Sequence, residues 1–269
     1  MVIDFHTHVF PDKIASKTVD ALANSASVKP YSDGTLSGLL KNMEDSGVNI
    51  SVTLPVLTKP TQFESVFNFA SEVLSNFKNG DTRILPFCGI HPDIEDLEGA
   101  FIKIKKAGFK GIKIHPEYQQ TFIDDPKNVK ILSLAKKHGL ITVTHAGVDN
   151  AYTGEVRCTP KRVLNALDKL GGYDKLVLAH FGGNELFDEV YNHLSGLNLY
   201  FDTAFMLKNI DKAMFIKILN KHGEDKILFA TDSPWSYALS DINIIKSFCL
   251  PVDVENKILY KNAVKLLDL

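Results

Sequence analysis

The sequence predicts an α/β fold, a single (β/α)8 TIM barrel, and three observations support this prediction. Short apolar segments alternate with longer helical patterns eight times along the chain. The apolar segments are almost continuously hydrophobic, which is typical of parallel strands buried on both faces. The chain has 269 residues, and barrels of this kind usually have about 250. No linker or low-complexity stretch divides it, so residues 1–269 are expected to form one domain.

Eight segments are predicted as strands because each is short, apolar and bounded by turn residues. They are residues 3–8, 49–56, 84–90, 111–115, 140–145, 175–180, 197–202 and 227–231. A doubly wound open sheet is the alternative arrangement, although no G-x-G-x-x-G turn follows the first strand. The barrel is therefore the favoured architecture.

Helical patterns separate these strands, and glycine or proline punctuates several of them. The predicted helices are residues 35–46, 60–77, 94–107, 126–138, 160–170, 185–194 and 211–222, with two short helices at the end of the chain. Gly47 and Gly108 follow two helices, and Pro126 begins another, as is typical of helix ends. The segment from Val9 to Asp33 is predicted as a loop, an insertion that serves as a lid or a contact arm.

The composition argues against several classes of partner. Lys and Arg total 30 and Asp and Glu total 32, with neither sign in a long run. This balance does not favour a nucleic-acid groove or an anionic membrane surface. Cys88, Cys158 and Cys249 show no C-x-x-C spacing and are interpreted as free thiols of a reducing compartment. With no secretion signal and no long apolar run, we expect a cytoplasmic protein that acts on a small molecule. A homo-oligomer is left open.

Histidines cluster at one end of the predicted strands. Six of the nine histidines fall at the carboxyl ends of strands, as does one aspartate at the last strand: His6, His8, His91, His115, His145, His180 and Asp232. In a barrel these ends converge on the face that carries active sites. His6 and His8 also alternate along one strand and so share a face. The other three, His138, His193 and His222, lie on helices or at their ends and are interpreted as cations near a helix terminus or as solvated surface residues.

Several motifs together resemble the metal-dependent amidohydrolase superfamily. They are Asp4-x-His6-x-His8 with Phe10-Pro11, Gly111-Ile-Lys-Ile-His115-Pro116, Thr144-His145-Ala-Gly147, Ala179-His180-Phe-Gly-Gly183 and Thr231-Asp232-Ser-Pro234-Trp235. The resemblance extends over nearly the whole chain. Within the superfamily it is closest to the amidohydrolase-2 family, which includes hydrolases and nonoxidative decarboxylases.

The resemblance implies a metal site and two catalytic groups. His6, His8, His145 and Asp232 would bind one divalent ion, and three nitrogen donors with one oxygen suit Zn²⁺. Asp232 would also act as general base, and His180 as an acid–base partner. The structural alternative for His180 is a histidine packed at a strand end. Asp4 is expected to support the ligands as a hydrogen-bond acceptor.

A second metal is not excluded by the sequence. Some superfamily members bridge two metals through a carboxylated lysine or a glutamate of the fourth strand. Here Lys113, His115 and Glu117 share one face of that strand. Lys113 and Glu117 are therefore possible bridges, and Lys113 is alternatively a buried amine. A single metal is favoured. His91 and His115 are expected to line the substrate pocket, although a purely structural role is equally open for each.

The sequence indicates the substrate-binding residues less specifically than the metal ligands. Arg157 follows the fifth strand and is the one guanidinium placed to bind a substrate carboxylate or phosphate. Its alternative interpretation is an ordinary solvated loop charge. Trp235 is predicted at the pocket, within a group of aromatic residues that follow strand ends: Tyr118, Phe181, Phe205, Trp235 and Tyr237. These residues either line the pocket or pack a lid.

Three functions follow from this reasoning. The first is a metal-dependent hydrolase that cleaves an amide, ester or lactone with activated water. The second is a carbon–carbon lyase that decarboxylates a small aromatic or unsaturated acid and needs an anion-binding group. The third is a noncatalytic barrel that keeps the metal for structure. The fold is shared by many reactions, so the site must decide among them.

Overall fold

Parallel strands form the centre of the protein in the computed structural model, which describes residues 1–80 and 83–269. The strands are β1 (Ile3–Thr7), β2 (Ile50–Thr53), β3 (Ile84–Pro86), β4 (Cys88–Gly89), β5 (Gly111–Ile114), β6 (Ile141–Thr144), β7 (Leu176–Leu178), β8 (Tyr200–Asp202) and β9 (Ile227–Leu228). β3 and β4 are two parts of the predicted third strand, separated at Phe87. The neighbours β1-β2-β3 and β4 through β9 pair in parallel.

Hydrogen bonds join the two ends of this strand series. The Phe5 amide donates to the Phe229 carbonyl at 2.9 Å, and the Asp232 amide donates to the His6 carbonyl at 2.8 Å. On the other side, the Phe87 amide donates to Thr53 at 2.9 Å, next to the break between β3 and β4. The last strand therefore lies beside the first, and the predicted α/β barrel is confirmed.

Helices surround the strands. They are α1 (Asp12–Ala26), α2 (Leu36–Ser46), α3 (Phe63–Lys78), α4 (Leu97–Ala107), α5 (Pro126–Lys137), α6 (Pro160–Leu170), α7 (Phe187–Glu189), α8 (Lys212–His222), α9 (Ala238–Ser247), α10 (Val252–Asn256) and α11 (Asn262–Leu267). Side chains cap several of them, since the Thr35, Asp96 and Thr159 oxygens accept from amides of the first turn. Such caps satisfy amides that have no partner within the helix.

The prediction of a loop between Val9 and Asp33 is wrong, because α1 occupies most of it. Only Ala15 and Val19 of this helix are buried, so its apolar stripe is too narrow to be recognised as a helical pattern. After α1 the chain reaches the loop that follows β9. There the Tyr31 amide donates to the Pro234 carbonyl at 2.7 Å, and the Tyr31 and Tyr237 rings stack with centroids 6.1 Å apart. The segment therefore packs on that loop of the same chain, and its role as a lid or as a contact arm stays a prediction.

The core consists of apolar side chains between the strands and helices. Phe5, Phe87, Phe201 and Phe229 are fully buried, and the Phe5 and Phe87 rings meet edge to face at 5.9 Å. Within residues 1–80 and 83–269, every helix is too short or too polar to cross a membrane. The apolar core supports the strand ends, where buried polar residues collect.

Candidate metal centre

Three side chains at the carboxyl ends of β1 and the last strand converge on one point. Nε2 of His6 lies 3.2 Å from Nε2 of His8. Oδ1 of Asp232 lies 3.3 Å from the first nitrogen and 3.0 Å from the second. The three ligand atoms belong to one group within 4.8 Å of one another. The structure thus brings together three of the four predicted ligands.

The opposite ring nitrogens of these histidines show which nitrogen carries the proton. Nδ1 of His8 lies 2.8 Å from the Leu54 carbonyl oxygen, which can only accept. Nδ1 of His6 lies 2.9 Å from Oδ2 of Asp202, another acceptor. Both Nδ1 atoms therefore face acceptors, which leaves the Nε2 atoms pointing toward Asp232. Two imidazole nitrogens and a carboxylate oxygen that face one another at these distances suit a divalent metal ion.

His145, the fourth predicted ligand, supplies an unpartnered nitrogen. Nδ1 of His180 lies 2.9 Å from the Ala204 carbonyl oxygen, so its Nε2 accepts from Nδ1 of His145 at 2.9 Å. Nε2 of His145 then carries a lone pair, and it is buried with no hydrogen-bond partner. The His180 ring lies 5.7 Å from the His6 ring and 4.8 Å from the His145 ring. A buried acceptor without a partner is the kind of atom that a bound ion would satisfy. The possible ligand atoms of His145 group with those of His115 and Asp149 and not with the first three, so its place as the fourth ligand stays a prediction.

Two buried acidic side chains lie next to the ligands. Asp202, at the end of β8, accepts from the His6 ring and also from the His180 amide at 3.0 Å. Hydrogen bonds like the one to His6 fix the orientation and basicity of metal ligands. Asp4 accepts from the Thr231 hydroxyl at 2.6 Å and from the Thr231 amide at 3.0 Å, and from no ligand ring in the described residues. It therefore holds the last strand beside the first, and its expected role as an acceptor for a ligand stays a prediction.

Burial and charge shift the pKa values of these groups. Burial lowers the pKa of His6 to about 4, and the charge of Lys113 acts in the same direction. Burial also holds the pKa of His145 well below its ordinary value. Burial alone would raise the pKa of Asp232, but His6 and His8 outweigh it and keep that pKa well below its usual range. The site therefore offers neutral imidazoles and an ionised carboxylate, the protonation states that metal ligands need.

The possible bridging residues, Lys113 and Glu117, take different positions. Nζ of Lys113 lies 3.0 Å from Nε2 of His6, and burial lowers the pKa of this amine to about 8. Glu117 instead accepts from Nη1 of Arg157 at 2.8 Å and from the Arg157 amide at 2.7 Å. Arg157, the predicted anion-binding residue, is thus already paired with a carboxylate. A second-metal bridge by either Lys113 or Glu117 stays a prediction.

The two histidines predicted to line the pocket, His115 and His91, lie in different surroundings. His115 stacks on His145 with ring centroids 4.3 Å apart, and its Nε2 lies 3.5 Å from Oδ2 of Asp149. Nδ1 of His91 accepts from the Asp93 amide at 3.1 Å, which agrees with its structural alternative. Trp235 is half-buried in the loop after β9, where its amide donates to the Asp232 carbonyl at 2.8 Å.

Backbone conformation at the site is unusual. Asp232 and His180 both have left-handed conformations, with φ of 67° and 57°. Such angles are uncommon outside glycine and are concentrated at functional sites. The loops after β6 and β7 also touch at Gly147, where a Cβ atom would lie 2.1 Å from the Asn184 amide nitrogen. Only glycine permits this approach, which holds the His145 and His180 loops together.

Sequence reasoning missed two acidic residues of the site, Asp202 and Asp149. Asp202 ends a predicted strand, as the histidines do, and this position is the signal that could have identified it. Asp149 lies in the loop after β6, and no periodicity marks it. With His115 and His145 it forms a second group whose possible ligand atoms lie within 4.8 Å of one another.

Together, the barrel and the histidine–carboxylate group define an α/β protein with residues suited to a metal ion. A sequence model of the amidohydrolase family matches residues 3–269, so the chain belongs to this family, as the motifs predicted. A search of curated protein sequences found no match.

Solved structures with the same fold include enzymes and uncharacterised proteins. A TIM-barrel protein from Bordetella bronchiseptica is 16% identical, with 99% of this chain and 98% of that chain covered and a TM-score of 0.76. A dihydroxybenzoic acid decarboxylase from a Polaromonas species, with bound manganese and the inhibitor 2-nitroresorcinol, is 14% identical, with coverage of 100% and 97% and a TM-score of 0.70. A candidate 2-pyrone-4,6-dicarboxylic acid hydrolase from Pseudomonas putida is 15% identical, with coverage of 99% and 97% and a TM-score of 0.67.

Decarboxylases of 5-carboxyvanillate and 2,6-dihydroxybenzoate are among the further matches. At these identities the likeness establishes the fold, which hosts more than one chemistry. Manganese in one of these proteins shows that zinc is not the only ion such a barrel binds.

Proposed function

We propose that the protein is a metal-dependent hydrolase that cleaves an amide, ester or lactone bond of a small molecule. The observation that carries this proposal is the convergence of Nε2 of His6, Nε2 of His8 and Oδ1 of Asp232 beside the orphaned Nε2 of His145. These four side chains would hold one divalent ion, with Zn²⁺ suited to three nitrogens and one oxygen. When bound, such an ion supplies Lewis acidity, which activates water at neutral pH.

Asp232 is the proposed general base. Its Oδ1 faces the two histidines, while within the described part of the chain Oδ2 has no hydrogen-bond donor. Because the pKa of this carboxyl lies well below its usual range, Asp232 is ionised at neutral pH and its Oδ2 can accept the proton of the attacking water. The left-handed backbone conformation of Asp232, with φ of 67°, directs the chain away from the strand at this residue.

His180 is proposed to act through His145 in the state described by the structure. Its Nδ1 holds a proton against the Ala204 carbonyl, and its Nε2 accepts from His145. This chain fixes the lone pair of His145 on Nε2. Direct acid–base catalysis by His180 would require its Nε2 to leave His145, and this role stays a prediction.

The alternative proposal is nonoxidative decarboxylation, which the dihydroxybenzoate and carboxyvanillate decarboxylases among the structural matches favour. This reaction needs a group that binds the substrate carboxylate. Arg157 is the predicted group, yet its guanidinium is paired with Glu117, and this pairing favours the hydrolase. Loss of aromatic-acid binding in Arg157→Ala would support the decarboxylase, whereas an indifferent Arg157 would argue against it.

The test uses protein freed of metal by a chelator and then reconstituted with Zn²⁺ or Mn²⁺. Each sample is assayed against esters, lactones, amides and aromatic acids, with carbon dioxide release measured for the acids. The hydrolase proposal expects turnover of an ester, lactone or amide that depends on the metal and is lost in Asp232→Asn. Full activity of the chelated sample would refute it, and an inert reconstituted sample would favour the noncatalytic barrel.

A further inference from the structure

Asp149 is a mostly buried carboxylate that the proposed mechanism does not use. Its side chain is 11% exposed, in the loop after β6. Oδ1 accepts from the Ala151 amide at 2.8 Å, while Oδ2 lies 3.5 Å from Nε2 of His115, a long contact. One oxygen is therefore only weakly satisfied by the protein.

Asp149 also has no lysine or arginine partner in the part of the chain that the structure describes. Its one ion-pair neighbour there is His115, at the long contact of 3.5 Å. Arg157, in the same loop, pairs with Glu117 instead. A buried carboxylate without a counter-charge is costly, and a bound cation would offset that cost.

Two tyrosines lie in the same region as this carboxylate. The Tyr152 amide donates to the Asp149 carbonyl at 3.0 Å. The Tyr118 ring meets the Tyr152 ring edge to face at 5.1 Å and the His115 ring edge to face at 4.3 Å. Besides burial, the charge of Asp149 raises the pKa of both tyrosines. A carboxylate with tyrosine rings is a combination that binds ammonium groups.

This cluster adjoins the candidate metal centre. Ligand atoms of Asp149, His115 and His145 lie within 4.8 Å of one another, and His115 stacks directly on His145. The carboxylate therefore lies beside the ring of His145, the proposed fourth ligand, where a second group of a substrate bound there could meet it.

We infer that Asp149, with Tyr118 and Tyr152, forms a subsite for an ammonium group or another cationic nitrogen of the substrate. The inference rests on the proposed hydrolase and names its substrate class: a small amide, ester or lactone with an amino group near the scissile bond. An acidic substrate would place a second negative charge beside Asp149, and the repulsion would weaken its binding.

Three hydroxamates of similar size test this subsite in metal-loaded protein near neutral pH. 4-Aminobutyrohydroxamate carries an ammonium group, pentanohydroxamate replaces it with a methyl group, and succinohydroxamate carries a carboxylate. In all three the distinguishing group is separated from the same hydroxamate chelator by two or more methylene groups, so differences among them report the second subsite. Calorimetric titration should show 4-aminobutyrohydroxamate binding at least about tenfold more tightly than pentanohydroxamate, the size expected of a hydrogen bond to a charged group. Succinohydroxamate should bind most weakly.

Asp149→Asn should abolish the preference for 4-aminobutyrohydroxamate while pentanohydroxamate binds as before. Asn keeps an oxygen that can accept from the Ala151 amide. Glu155→Gln is the matched control, because this exposed acid lies in the same loop and pairs with Arg162; it should retain the preference. If Asp149→Asn does not fold, the order of the three ligands on the unmodified protein decides the question.

The outcomes separate this inference from the proposed function. If none of the three hydroxamates binds, the metal centre itself is refuted and the subsite with it. If all three bind equally, or Asp149→Asn keeps the preference, the metal centre stands and the subsite is refuted. A second equivalent of Zn²⁺ that is bound by the unmodified protein and lost in Asp149→Asn would show a metal ligand and also overturn the inference.

Discussion

The carboxylate of Asp202 and the imidazole of His6 form a buried hydrogen bond, with Oδ2 2.9 Å from Nδ1. The bond joins the ends of β8 and β1 across the barrel. It fixes the proton of His6 on Nδ1 and leaves Nε2, which lies near His8, Asp232 and Nζ of Lys113, as the acceptor. Asp202 therefore determines whether His6 can act as a metal ligand, although it does not lie in the ligand group itself.

Asp202→Asn is expected to weaken Zn²⁺ binding by roughly 10–100-fold, the usual effect of losing such a supporting hydrogen bond. Competition titration against a chromogenic chelator measures the affinity. Asp253→Asn removes an exposed ion pair far from the site in sequence and should leave the affinity unchanged. An Asp202→Asn protein that folds and binds Zn²⁺ with unaltered affinity would contradict the role assigned to this carboxylate.

The Arg157–Glu117 pair is expected to contribute to stability. Arg157→Ala leaves the buried Glu117 carboxylate without its guanidinium, and we expect a loss of about 1–3 kcal/mol in the free energy of unfolding, below the cost of breaking a fully buried pair because Arg157 is partly exposed. The double variant Arg157→Ala/Glu117→Gln should be more stable than Arg157→Ala alone.

Urea unfolding of the four proteins gives the coupling energy of the pair. The exposed pair Lys103–Glu64 is the comparison, with an expected coupling below about 1 kcal/mol. Equal coupling energies for the two pairs would show that burial of Glu117 does not strengthen its interaction with Arg157.

His222 is expected to make the fold sensitive to acid. Burial lowers its pKa to about 4 in the folded chain, below the ordinary 6.5, so between these values the unfolded chain binds more protons. Stability is then lost as the pH falls from 6.5 toward 4, by up to about 3 kcal/mol. His222→Gln should reduce the loss of stability between pH 7 and pH 5 by about 1–2 kcal/mol. Urea unfolding of metal-free protein at both pH values measures it, and equal losses in the two proteins would contradict the shift.

The barrel and three of the metal-site residues were predictable because their signals are local. Eight apolar segments predicted the strands, and His6 and His8 share a strand face at a spacing of two. Asp232 follows from its place at the last strand end. The helix α1 was not predictable in this way, since only Ala15 and Val19 face the core, and a narrow apolar stripe resembles a polar loop.

Partners far apart in the sequence could not be assigned from the chain. Asp202 occupies a strand end, yet its bond to His6 spans 196 positions and depends on how the barrel closes. The pairing of Arg157 with Glu117 likewise depends on the course of the loop after β6, which no sequence pattern specifies. Residue type and strand position therefore predict where a site lies, while packing decides which groups remain free for a substrate.

Metal stoichiometry tests directly whether His6, His8, His145 and Asp232 together hold one metal ion. Metal-free protein is dialysed against Zn²⁺, and bound metal is measured by mass spectrometry for the unmodified chain, His145→Ala, Asp232→Asn and the control His138→Ala. We expect one tightly bound ion in the unmodified chain and the control, and its loss in the other two. An unmodified protein that binds no ion, or a His145→Ala/Asp232→Asn double variant that keeps it, would show that these side chains do not form the metal site.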